Sequence, residues 1–141
     1  GSIPRGPEVK PVTVPPVQLE KTRYISYTDN YARLPMLNVV YPTVPDYHPD
    51  MPAIQALGQV LGQGRNSILF QQFTKKQLAL QATTFSYPSE LAGEFHIIIL
   101  PTPGKTLAEM EKLYRQHVLK EAPKPPVIQI QGLKKSQPTT V

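Results

Sequence analysis

The chain contains no cysteine, which excludes disulfides and thiolate metal sites without choosing a compartment. No apolar run approaches the roughly 20 residues that a membrane-spanning helix needs. Histidine is scarce. His48, His96 and His117 are the only three, and none lies within four residues of another. No helix here can therefore present two histidines one turn apart to a metal. Phosphate-cradling glycine loops are missing too: Gly62-x-Gly64 has no third glycine and follows a helical pattern instead of preceding one. Ser67 and Ser86 have no partner histidine suggested by the sequence.

What is present is enough for one domain of modest core, 141 residues with a net charge of +5 and a pI near 9.5. Lys120, Lys124, Lys134 and Lys135 put part of that charge near the end. No single face collects the rest and no stacking platform accompanies it, so the charge reads as solubility and no nucleic-acid partner is expected. Seventeen prolines far exceed the usual share of about 5%. They crowd both ends, where fixed φ and missing donors resist regular structure. Gly1-Ser2 is the residue pair left by tag removal and is set aside. Ile3-Pro4-Arg5-Gly6-Pro7 then reads as linker from a longer protein. The expected division is a proline-rich linker over 1–16, an α+β unit over 17–119 and a proline- and lysine-rich tail over 120–141.

Lys21 to Tyr27 and Met36 to Tyr41 are strand candidates, rich in β-branched and aromatic residues. Asp50 is placed to cap a helix whose stripe Ile54, Leu57, Val60 and Leu61 should be buried. Gly62 and Gly64 end that helix. Asn66 or Ser67 opens a shorter one through about Lys75, with Ile68, Leu69, Phe70 and Phe73 as its apolar positions. Leu78 to Tyr87 alternates, placing Leu80, Ala82 and Thr84 on one face. Glu94 to Leu100 is apolar enough for a central strand covered on both faces. Thr106 and Glu109 form a capping box for a helix that buries Leu107, Met110, Leu113, Tyr114 and His117/Val118. Glu109, Glu111 and the basic residues of this helix read as a solvated face. Val127 to Gln131 is a strand only if it finds an edge. The order β-β-α-α-β-β-α favours an α+β sandwich with an antiparallel or mixed sheet.

Several segments in this order resemble the insulinase/pitrilysin family of zinc peptidases. They are Ile3-Pro4-Arg5-Gly6, the run from Tyr41 through Pro49-Asp50 to Leu61-Gly62, Gly64-Arg65-Asn66-Ser67 followed by Leu69-Phe70, and Thr74-Lys75-Lys76-Gln77-Leu78-Ala79. The resemblance spans about Ile3 to Arg115. It implies half of a mitochondrial-processing-peptidase-like metallohydrolase domain. The family's H-x-x-E-H zinc motif belongs to another half-domain and is not in this chain. Zinc is thus expected in the parent protein and no cofactor in this piece, and no catalytic or metal residue is assigned here.

The family's C-terminal domains place an arginine and a tyrosine around T-K-x-Q-L-G to hold substrate. The matching positions are Phe73 and Leu80, which cannot donate those hydrogen bonds and are expected to pack in the core. From Glu121 onward the family pattern is lost. The resemblance implies a non-catalytic sub-domain that helps to enclose a peptide, with the protease's other half-domains as partners and no membrane span. A bacterial periplasmic or secreted setting is considered for the parent. The competing reading is a stand-alone protein-interaction module with proline-rich arms.

Overall fold

A computed structural model describes residues 3–118 and the strand at 127–131. The sheet has five strands in the order β1-β5-β2-β4-β3. They are β1 (Arg23–Tyr27), β2 (Met36–Thr43), β3 (Ala79–Pro88), β4 (Gly93–Pro101) and β5 (Val127–Gln131). Pairing is antiparallel except where β5 runs parallel to β1. Two helices, α1 (Met51–Gly62) and α2 (Leu107–His117), lie with a π-helical segment (Phe70–Thr74) along the sheet. The α+β class and the mixed sheet are as expected from the sequence.

Period-two burial marks the helix-covered face. Leu37 and Val39 of β2 meet Ile99 and Ile97 of β4 in register, and all four are buried. Phe95, Ala79, Ala82, Leu69, Phe73, Leu107, Met110 and Tyr114 complete this core. The strand closed on both faces is β2, where Leu37, Asn38, Val39 and Val40 are all buried. That corrects the assignment of this role to β4, whose His96, Ile98 and Leu100 are only half-buried. The conditional strand at 127–131 forms. It needs no outer edge, because it sits between β1 and β2.

α1 is rotated relative to the sequence expectation. Its sheet-facing residues are Met51, Ile54, Gly58, Leu61 and Gly62, while Leu57 and Val60 are 50% and 61% exposed. The cause is the two glycines. A Cβ on Gly62 would stand 2.5 Å from the Thr84 backbone nitrogen, and one on Gly58 would stand 3.3 Å from the Phe95 ring. The helix therefore lies down on its glycine side, and Thr84 Oγ1 donates to the Gly58 carbonyl at 2.8 Å. Gly62 serves this contact and is the helix's last residue. The chain reverses at Gly64, which takes φ +83°. Asp50 makes no side-chain cap, since its own backbone is already helical at φ −84°, ψ −6°.

The second helical stretch begins as expected at Ser67, whose Oγ accepts from the Phe70 N–H. It then widens to π geometry, with Lys75 N–H donating to the Phe70 carbonyl. Leu69 and Phe73 are buried, whereas Ile68 is 38% exposed. The box of α2 is complete in both directions, Thr106 to Glu109 and back. His117 is exposed, not buried.

Two predictions follow from this packing. Gly62→Ala should cost about 1–3 kcal/mol in urea unfolding, because backbone atoms must move. Gly58→Ala should stay within about 1 kcal/mol of wild type, since a ring edge can yield and helix propensity improves. Equal costs at the two sites would contradict the geometry. The second prediction concerns pH. Hydrogen bonding to the Thr106 N–H holds the Glu109 carboxyl below its ordinary pKa of 4.5. Its stabilising effect is then present above that value and lost as pH falls through the lower, folded one. The stability difference between wild type and Glu109→Gln should therefore shrink between pH 6 and pH 3, as followed by thermal unfolding.

Candidate functional site

The three histidines lie apart. His48 Nδ1 accepts from the Asp50 N–H at 3.2 Å in the loop before α1, and His117 is exposed at the end of α2. His96 is on β4, on the sheet face opposite the core. Its ring stacks on Phe85 with centroids 4.7 Å apart. Its Nε2 is 3.0 Å from Glu94 Oε2 and its Nδ1 is 3.3 Å from Asn38 Oδ1. Among the described residues no group of three or more His, Cys, Asp or Glu is placed to hold a metal.

This constellation draws on three strands. Register opposes Phe85 to His96 across β3 and β4, and Val40 to His96 across β2 and β4. Sequence reasoning found His96 but not its neighbours. The only available signal was a histidine at a period-two position between apolar residues, which says nothing about strand partners. Tyr87, exposed beside Phe85 on β3, extends the aromatic part of this face, while His96 is half-buried with both ring nitrogens already engaged and Asn38 is buried.

The two positions that the sequence resemblance set against the family's substrate-holding pair, Phe73 and Leu80, differ in placement. Phe73 is fully buried in the core, as expected. Leu80 is 52% exposed, which corrects the expectation of core packing. The reason is a register irregularity: Ala79 pairs with Pro101 while Gln81 pairs with Leu100. The extra residue turns Leu80 outward and breaks its expected alternation with Ala82 and Thr84. Leu80 then lines a shallow cleft of about 340 Å³ with Gly64, Arg65, Phe70 and Thr83.

The acidic and basic residues of α2 are likewise more than a solvated face. Arg115 Nε donates to Glu111 Oε1 at 2.9 Å, and an Arg115 terminal nitrogen donates to the Tyr24 hydroxyl at 2.6 Å. Tyr24 in turn donates to Glu111 at 2.9 Å. Burial, and then the Glu111 carboxylate, raise the Tyr24 pKa. Deeper in, the hydroxyls of Tyr41 and Tyr114 bond to each other. Burial pushes both upward in pKa, so both stay neutral and serve packing.

Solved structures share this α+β fold. A protease from Helicobacter pylori is 24% identical, with a TM-score of 0.62 over 66% of this chain and 23% of its own. The peptidase M16 inactive domain from Pseudomonas fluorescens is 14% identical, with a TM-score of 0.60 over 94% of this chain and 48% of its own. The inactive peptidase domain of a proposed zinc protease from Bordetella parapertussis is 15% identical, with a TM-score of 0.52 over 60% and 46%. The chain thus spans between 23% and 48% of the length of these relatives. No curated protein matches it. Residues 1–126 match the family described as the peptidase M16 inactive domain, and the chain belongs to that family. It is a non-catalytic domain of the metallopeptidase-like class. Among the described residues, no helix is long and apolar enough to cross a membrane.

The placement of the two aligned positions is testable. Phe73→Ala should cost about 3–5 kcal/mol in chemical denaturation. Leu80→Ser should stay within about 0.5 kcal/mol. A large cost at Leu80 would put it in the core after all.

Proposed function

We propose that this domain is one structural wall of a zinc-dependent peptidase of the insulinase/pitrilysin type, helping to enclose a peptide whose cleavage happens elsewhere in the parent. The observation that carries this reading is the match to an inactive peptidase domain over residues 1–126. The chemistry of the chain supports it. An aromatic and polar sheet face around Phe85, Tyr87 and His96 lies opposite the helices, and β3 ends the sheet as an edge strand. An extended peptide can add to such an edge by main-chain hydrogen bonds. In this reading the zinc is held by the parent's other half-domains, which are also this domain's partners.

A second reading has one observation in its favour. Residues 3–18, which carry the first prolines, are exposed throughout, as an arm that docks on a separate protein would be. The two readings separate on one set of measurements. The 141-residue chain alone should retain no zinc after dialysis and cleave no fluorogenic peptide. Deleting residues 17–119 from the parent should lower its kcat/KM at least about tenfold, the scale of lost substrate positioning. Stoichiometric zinc in the isolated chain, or full activity without the domain, would overturn the first reading.

A further inference from the structure

Three irregular features of the backbone meet at one cleft. The segment Phe70–Thr74 is wound as a π-helix. Gln77 takes φ +58°, a left-handed conformation uncommon outside glycine. β3 then loses register with β4 between Ala79 and Gln81, and Leu80 turns outward. Such features cost stability and are frequent beside functional sites, where they re-aim a side chain. All three fall within residues 70–81 and border the cleft of about 340 Å³ next to Gly64. Phe70, Leu80 and Ala82 make the cleft apolar, Thr74 and Thr83 add hydroxyls, and Arg65 is the one charged residue lining it.

Arg65 is exposed and pairs with no carboxylate among the described residues. A second cation is moored nearby. Lys75 Nζ donates to Gln71 Oε1 at 3.1 Å, and Gln71 Nε2 donates to the Arg65 carbonyl at 2.7 Å. Lys75 likewise has no carboxylate partner among the described residues. One carboxamide thus links the two basic residues without neutralising either. We propose that this cleft binds a small organic acid, a carboxylate on an alkyl or aryl body. The body lies against Phe70 and Leu80, and covering Leu80, which is 52% exposed, removes apolar surface from water. The carboxylate takes charge-assisted hydrogen bonds from Arg65, with the Thr74 hydroxyl as a further donor. The volume is at the small end of the range for small-molecule pockets, about 300–1,000 Å³, which suits a free acid better than a length of polypeptide. The proposal is independent of the peptidase reading, since neither zinc nor another half-domain enters it.

The test titrates octanoate, and octanamide as its uncharged match, into the 141-residue chain, read by calorimetry and by backbone amide shifts. Octanoate should bind with a Kd of about 1 mM, the ordinary yield of its roughly ten non-hydrogen atoms. It should shift the amides of residues 70–74 and 80–83. Octanamide should bind at least about tenfold more weakly. Arg65→Gln should bring octanoate down to the level of octanamide and leave the unfolding midpoint unchanged, because Arg65 is exposed. Leu80→Ser should weaken both probes alike. Equal binding of the two probes, full octanoate affinity in Arg65→Gln, no effect of Leu80→Ser, shifts centred on other residues, or no saturation by about 10 mM would each overturn the proposal. A second arm uses a tetrapeptide ending in leucine with a free carboxylate. Weaker binding than octanoate supports the free acid. Tighter binding that is lost when the peptide is amidated overturns that source in favour of a peptide C-terminus.

Discussion

The closest constraint in the fold is the approach of α1 to β3 through glycine. Gly62 faces the Thr84 backbone at a distance no side chain could occupy, and Gly58 receives the Thr84 hydroxyl on its carbonyl. That seam fixes the rotation of α1 about its own axis. The rotation decides which apolar residues face the sheet and which are left outside. It also positions the corner at Gly64, from which the π-helical segment places Leu69 and Phe73 in the core. A core of this size gains from every fully buried ring, and Phe73 is among its largest members.

The opposite end of the domain is organised by polar contacts. Tyr24, Glu111 and Arg115 close a ring of hydrogen bonds between β1 and α2. Partly exposed ion pairs contribute little alone, but a neutral hydroxyl shared by both charged groups makes the geometry specific. Beneath it the Tyr41 and Tyr114 hydroxyls share one hydrogen bond, in which one donates and the other accepts. α2 is thus tied to β1 at the surface and to β2 within.

Much of this was legible in the sequence because it is local. The Thr106–Glu109 box, the presence of β4 as an apolar strand, the turn at Gly64 and the order of elements all follow from neighbours within a few residues. The errors share one physical origin. Periodicity put Ile54, Leu57, Val60 and Leu61 in one buried stripe, but only the contact with Thr84 selects the glycine side as the buried one. Alternation in β3 predicted the facing of Leu80, but the register irregularity between Ala79 and Gln81 reversed it. Phe85, Asn38 and Glu94 gather around His96 through strand registers that no single segment encodes. The family resemblance supplied the fold and the non-catalytic character, and the segments that carried it do not include Tyr24, Phe85 or His96.

The place of β5 in the sheet bears on the order in which the molecule can assemble. Among the described residues β1 pairs with no strand other than β5, and β5 is separated from it by about a hundred residues of chain. Bringing such distant segments together carries a loop-closure entropy that is offset only once the pairing is made. On a ribosome, residues 23–27 emerge early and must wait, unpaired, until residue 131 has left the exit tunnel. The hairpin of β3 and β4 can zip much sooner, with β2 beside it. Synthesis thus builds the sheet from one margin toward the other, and the earliest strand is the last to find its neighbour.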